Sequence, residues 1–464
     1  MVDQTATGAA KPPLVELIDA LPDVEVLTDP ESTEPYRRDR ANDRNVAVPL
    51  AVVLAERTEH VQAVMRWATA NGIPVVPRGA GSGLSGGASA VQGGIVLSTE
   101  RMRGLSIDET TRTAVVQPGL MNAEVKAAAA EVGLWYPPDP ASAEFCSIGG
   151  NVATNAGGLC CVKYGVTTDY VLGIEVVLAD GRAVRIGGPR LKDVAGLSML
   201  KLFVGSEGTL GIITEITLRL LPAPMAPRTV VGWFDSSAAA GAAVAEIARR
   251  IRPSMLEYMD GVSIGAVEDE LAMGLRRDAA ALVVARSDDR SPTGEEVAIM
   301  LDAFERHGAT ECFETADVED GERYAHARRI AIPAVERLGS LLLEDVGVAI
   351  PELPRLISGV ERIAAENDVT IAFIAHAGDG NTHPLVVVDL EDRDMVRRAE
   401  RSYGQIMDLA IDLGGTITGE HGVGRLKRPW LVDQIGDDLL DVSHRVKRAL
   451  DPAGILNPGT IFAA

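Results

Sequence analysis

Pro77-Arg78-Gly79-Ala80-Gly81-Ser82-Gly83-Leu84-Ser85-Gly86-Gly87 follows the apolar segment Ile73-Pro74-Val75-Val76. Where side chains are missing, successive backbone N–H groups can converge on a phosphate. The run opens no evident helix, as Rossmann and P-loop glycine motifs do, so alone it also suits a flexible linker. Just upstream, Val61, Val64, Met65 and Ala68 follow the one-face spacing of a helix, with Thr58 as its N-cap and Asn71-Gly72 at its end. Helix, strand, then glycine run is the order a nucleotide site uses.

Two further segments sharpen that reading. Ser147-Ile148-Gly149-Gly150-Asn151-Val152-Ala153-Thr154-Asn155-Ala156-Gly157-Gly158 alternates small and polar groups without a linker's composition. Gly205-Ser206-Glu207-Gly208-Thr209-Leu210-Gly211 runs into a strand-like stretch at 212–218. Two such loops can clasp one long phosphorylated cofactor. Strands are also expected at 94–97, 114–116 and 173–178, the last turning at Asp180-Gly181 into 183–186.

At 464 residues the chain exceeds one ordinary core, so two or three domains are expected. Hydrophobic residues make up 46% and charged ones 24%, which excludes a disordered chain. No apolar run approaches the roughly 20 residues of a membrane span, and Met1-Val2-Asp3-Gln4-Thr5 lacks a signal peptide's basic start. The expectation is a soluble cytoplasmic protein, reaching a membrane only through a partner. A net charge of −22 repels nucleic acid and anionic lipid, leaving local positive sites for an anionic substrate. Cys146, Cys160, Cys161 and Cys312 form no CxxC pair and read as reduced and structural. Near the start, Pro12-Pro13 opens a helix with Leu14, Leu17, Ile18 and Leu21 on one face.

Pro222, Pro224 and Pro227 mark a boundary. Beyond them come a strand at 229–234, an alanine-rich helix at 236–250, strands at 254–258 and 281–285, a helix through 299–304 and a short strand at 312–313. The order approximately repeats at 341–343, a helix to 365, 371–374, 385–388 and a helix at 394–413. Two βαββαβ units, each ferredoxin-like, predict an antiparallel sheet covered by helices.

His376-Ala377-Gly378-Asp379-Gly380-Asn381-Thr382-His383 and Gly419-Glu420-His421-Gly422 together hold three of the seven histidines. Imidazole and carboxylate suit a borderline divalent ion such as zinc or manganese. The spacing is not the helical one of zinc proteases, and the apolar stretch 370–374 reads as a strand that delivers His376 to a loop site. The alternative is a turn whose histidines bond backbone carbonyls. Glu420 and His421 are adjacent, so their side chains diverge unless flanking glycines bend the loop.

Residues 77–87, 147–158 and 204–212 together resemble the flavin-binding domain of the vanillyl-alcohol oxidase superfamily. The resemblance implies an α+β protein: a two-part PCMH-type FAD-binding domain plus a cap domain built on the ferredoxin-like sheet. Its expected limits are 1–222 for the FAD domain, 223–414 for the cap and 415–464 for a segment returning to the FAD domain. The residues it assigns to the cofactor are Pro77, Arg78, Gly79, Ala80, Gly81, Ser82, Gly83, Ser147, Gly149, Gly150, Asn151, Thr154, Asn155, Gly157, Gly158, Glu207, Gly208, Gly211, Ile212 and Asn457. Some relatives attach the flavin through a histidine in the first loop. Ser82 stands there, so non-covalent FAD is expected.

Nearly the whole chain resembles the FAD-linked 2-hydroxyacid dehydrogenases of glycolate and D-lactate type, through 376–383, Gly419-Glu420-His421-Gly422-Val423-Gly424 and the ending 451–459. That resemblance implies that His376, His383 and Glu420 hold the metal, that His421 is the base, and that Asn381 belongs to the catalytic set. It further implies that Arg328, five residues before Pro333, binds the substrate carboxylate, a task suited to a planar guanidinium. Arg329 reads as solvated. The expected reaction is oxidation of a D-2-hydroxy acid, with electrons passing to an acceptor protein or a quinone-linked carrier, in a homodimer. Where the hydroxyglutarate branch carries Lys and Asn, this chain has Leu343 and Leu385, which favours a small or apolar acid over a diacid. Thr460 stands where relatives commonly carry Lys. The competing readings are a D-2-hydroxyglutarate-type dehydrogenase, a flavin-free metal-dependent hydrolase and a non-catalytic flavin-binding subunit.

Overall fold

The computed structural model describes residues 14–41, 43, 46–289 and 294–463. The Pro12-Pro13 helix opening lies outside them. The helix that follows, Leu14–Asp19, buries Leu17 while Ile18 stays exposed.

Two sheets build the first part. One carries Val52–Leu54, Ile95–Ser98 and Val75–Arg78 in parallel, with Val26–Leu27 antiparallel at its edge. The other is antiparallel, in the order Leu105–Asp108, Thr113–Val116, Ile212–Arg219, Val171–Val177, Ala183–Gly187. The helix Thr58–Asn71 joins them and ends on Gly72 at φ 62°, as expected. Thr58 does not cap it. Arg57 occupies the cap position, and the Thr58 hydroxyl instead donates to Glu175 Oε1 at 2.6 Å across the sheets, a tertiary partner outweighing the local one. Val75 forms a parallel bridge with Leu456, so the C-terminal segment returns to this part.

An eight-stranded sheet organises the second part, in the order Glu311–Glu314, Arg228–Phe234, Ala281–Ser287, Met255–Asp260, Ile371–His376, Asn381–Val388, Ser340–Leu343, with Val346–Gly347 also on Asn381–Val388. All its pairings are antiparallel. Both faces are covered, which is why its central strands read as continuous apolar runs: Val283 and Ala285 enter one cluster, Leu282 and Val284 the other. Each fully buried Val or Leu contributes about 1.5–3 kcal/mol.

The first four strands take the ferredoxin-like order, with the helix Gly261–Leu271 inserted between the second and third. The second half departs from the expected unit. After its last helix, Arg393–Asp412, no fourth strand forms; the chain makes one bridge, Thr416 to Gly347, and becomes the Gly419-to-Gly424 loop. Glycines there cannot pack as a strand should, and their freedom is used at the site instead.

Candidate active site

One cavity collects most of the glycine-rich residues: Pro77 to Gly83, Ser147, Gly149, Gly150, Asn151, Thr154, Glu207, Gly208, Gly211 and Ile212 all line it. The first two loops meet closely. A Cβ on Gly79 would lie 2.3 Å from Ser147 Oγ, and one on Gly149 would lie 2.4 Å from Pro118 Cβ. Ser147 also caps the helix Ile148–Thr154, an element absent from the sequence reading, and takes the Ala80 N–H at 3.2 Å. Among the described residues, the N–H groups of Gly81, Ser82 and Gly83 donate to no protein acceptor. Unsatisfied amides on a cavity wall suit a phosphate, so the cradle fits a dinucleotide.

Four expected cofactor residues lie elsewhere. Asn155, at φ 54°, closes the 148–154 helix and accepts from Thr168 N. Gly157 and Gly158 line a second cavity. Asn457 donates to the carbonyls of Gly87 at 2.8 Å and Glu207 at 2.7 Å, tying the first and third glycine loops together. The Glu207 carboxylate accepts the N–H groups of Val423 and Gly424 at 2.8 Å each; burial pushes its carboxyl up to about 7. Thr460 is buried, with its hydroxyl unpaired.

The same cavity reaches His376, His383, Glu420, His421 and Arg328. His376 ends one strand and His383 lies inside the next, so two members of the cluster stand on the sheet rather than on loops. Their rings are 5.3 Å apart, and Glu420 Oε1 sits 3.4 Å from His376 Nε2, 3.2 Å from His383 Nε2 and 3.6 Å from His421 Nε2. The His421 ring stacks on His383 with centroids 4.9 Å apart.

Asp345, unassigned in the sequence reading, brings Glu420 and His421 to one side. Its fully buried carboxylate accepts the successive N–H groups of Gly419, Glu420 and His421, plus the Thr418 hydroxyl at 2.6 Å and Lys427 Nζ at 2.9 Å. Consecutive amides wrapped on one anion form a concave nest, the bend that the flanking glycines permit. The His383 and His421 nitrogens also lie near Asp345. Its oxygens, however, are already held by Lys427 and the amides, which makes His376, His383 and Glu420 the donor set fitted to a metal.

Electrostatics agree with that choice. Burial opposes charge on Glu420, but His376 first, with His383 and His421, holds its carboxyl well below the usual range. Burial, aided by His421 and His376, pushes His383 down to about 4, leaving a neutral imidazole for an ion. His376 goes the other way: against its burial, Glu257 and Glu420 raise it well above its ordinary value, so an ion binding there displaces a proton.

Arg328 lies in the last turn of the helix Val318–Arg329 and is only 2% exposed. Its Nε lies 2.8 Å from Glu257 Oε2 as an ion pair outside hydrogen-bond geometry, so Nε and Nη2 are both buried without a hydrogen-bond partner. The other arginines on this wall are engaged: Arg78 with the carbonyls of Arg38, Ala88 and Pro35, Arg40 with Glu336, Arg329 with Asp139 and Glu322. Asn381 is not on this wall. It lines the second cavity, which shares only His376 and Glu420 with the first.

Two family models cover the chain, a FAD binding domain over residues 49–187 and the C-terminal domain of FAD linked oxidases over residues 223–461. The glycolate oxidase subunit GlcD of Bacillus subtilis is 40% identical over 422 residues, covering 90% of each chain.

The chain belongs to the FAD-linked oxidases.

A D-lactate dehydrogenase of Archaeoglobus fulgidus is 37% identical over 420 residues, 88% of this chain and 90% of its own. The fold is that of p-cresol methylhydroxylase, with a TM-score of 0.81 at 18% identity over 97% of this chain and 96% of that one. The expected α+β architecture, an FAD-binding domain plus a domain with a large antiparallel sheet, is the one this FAD-linked oxidase has. Its membership sets aside the reading as a flavin-free hydrolase. No helix among the described residues is long and apolar enough to cross a membrane.

Glu257, Asp345 and Lys427 are the residues sequence reading missed. A lone Glu inside the apolar stretch 254–258, and an acidic pair after the apolar 341–343, were the available signals; Lys427 carried none.

Proposed function

We propose that this FAD-linked oxidase converts a small or apolar D-2-hydroxy acid (glycolate, D-lactate or a longer homologue) to its 2-oxo acid, using non-covalent FAD and zinc or manganese. One observation carries the reading: a buried guanidinium nitrogen without a partner, His421, and the His376/His383/Glu420 cluster share the cavity of the glycine cradle. The names of the glycolate and D-lactate relatives support the substrate class.

When bound, the flavin supplies a hydride acceptor for the C2 hydrogen and the ion acidifies the substrate hydroxyl. Arg328 pairs the substrate carboxylate, a strong interaction because the group is already desolvated. His421, 12% exposed in its side chain at the cavity wall, takes the hydroxyl proton. Phe145, Ile332 and Pro333 add apolar surface to the same wall. Leu343 and Leu385 face each other across neighbouring strands in the apolar cluster that includes Ile332, and neither offers a cation to a second carboxylate.

In this reading, residues 1–222 bind FAD, 223–414 form the cap and 415–464 return to the FAD domain, in keeping with the Val75–Leu456 bridge. Electrons leave to an acceptor protein or quinone-linked carrier, from a cytoplasmic homodimer.

Freshly purified protein shows flavin absorption, and anaerobic D-lactate or glycolate bleaches it while L-lactate does not. A spectrum unchanged across a panel of 2-hydroxy acids overturns the reading in favour of a non-catalytic flavin subunit. Arg328→Met raises KM for the acid at least about 10-fold with a smaller effect on kcat, read by steady-state kinetics. A wild-type KM would leave Arg328 as a structural partner of Glu257 alone.

A further inference from the structure

Glu257 lies on the strand Met255–Asp260, beside Ile371–His376, and is 1% exposed. A carboxylate taken out of water is strongly unfavourable unless cations or donors surround it. Two groups meet this one. Arg328 Nε lies 2.8 Å from Oε2, and His376 Nδ1 lies 2.9 Å from both oxygens. On the histidine side, the bond fixes the ring so that Nε2 is the nitrogen that faces Glu420 Oε1 and His383. On the arginine side, the carboxylate pairs with the guanidinium by charge at Nε, while Nε and Nη2 both lack a hydrogen-bond partner on a side chain that lines the cavity.

We propose that Glu257 is a positioning residue shared by the metal ligand His376 and the substrate-binding Arg328, so that one carboxylate sets the affinity for both the ion and the acid. This rests on the function proposed above. Neither partner can move alone: tilting the imidazole or swinging the guanidinium leaves part of a buried charge unpaired. The residues that would hold the ion and the one that would hold the substrate carboxylate are therefore coupled through Glu257. Glutamine in its place keeps the shape but loses the negative charge that both neighbours require.

The test uses flavin-loaded protein and zinc alone, in competition with a chromogenic chelator. Glu257→Gln is expected to weaken zinc binding about 10–100-fold, and to raise KM for D-lactate more than it lowers kcat. A double-mutant cycle with Arg328→Met is expected to be non-additive in zinc affinity, because Arg328 acts on His376 through Glu257. Should Glu257→Gln not fold, Glu257→Asp keeps the charge but not the reach, and is expected to bind zinc more weakly than wild type. Wild-type zinc affinity in a folded variant, or an additive cycle, overturns the shared role. A wild-type protein that binds zinc but shows no bleaching by any 2-hydroxy acid overturns the proposed function instead, which the zinc titration distinguishes.

Discussion

His421→Asn is expected to lower the rate of flavin reduction by about 10²–10⁴-fold, the usual contribution of a positioned base, while flavin and metal content stay at wild-type levels. The geometry separates the two effects. The His421 ring stacks on His383 and reaches Glu420 Oε1 at 3.6 Å, but the donors fitted to the ion are His376, His383 and Glu420. The nest around Asp345 is made by backbone amides, so it survives the side-chain change. An asparagine amide fills similar space and cannot take a proton near neutral pH. His376→Ala is the contrast, losing metal and rate together. Stopped-flow bleaching with D-lactate, alongside elemental analysis for the metal, reads both quantities. Reduction by His421→Asn at the wild-type rate would place the base elsewhere.

Asp345→Ala is expected to be the most damaging change outside the direct contacts. It leaves the Lys427 ammonium, 1% exposed, without its carboxylate, a loss that typically costs about 3–5 kcal/mol. It also releases the Thr418 hydroxyl and the successive amides of Gly419, Glu420 and His421, so the loop loses the anion that bends it. Stability, metal retention and flavin reduction fall together. Asp345→Asn, which can still accept from some of these donors, falls less. Thermal unfolding followed by circular dichroism and by flavin release checks the order. A variant lacking the carboxylate that melts like wild type and keeps its metal would show that Gly419, Gly422 and Gly424 shape the loop unaided.

The parts legible in the sequence share a physical property: each states its requirement locally. A run such as 77–87 is glycine because a side chain would strike the neighbouring loop, as a Cβ on Gly79 would strike Ser147. The central strands of the large sheet betray themselves because both faces are buried, so a run such as 281–285 is apolar at every position. Histidines grouped in 376–383 advertise a donor set before any fold is known. Boundaries were less secure. Thr58 has the residue type of a cap but not the position, and the second ferredoxin-like half ends in a loop where symmetry called for a strand.

What the sequence by itself determined is the family of folds, the glycine cradle and the identity of the His/Glu cluster, since steric demand and side-chain chemistry are carried residue by residue. Only the tertiary structure decided how these parts are held. Glu257, Asp345 and Lys427 come from separate stretches of the chain, and no spacing rule connects them. Each is charged and buried, and a buried charge persists only where its partners meet it in space. The same rule separates Arg328, with a buried nitrogen unpaired on the cavity wall, from its neighbour Arg329, which is paired near solvent.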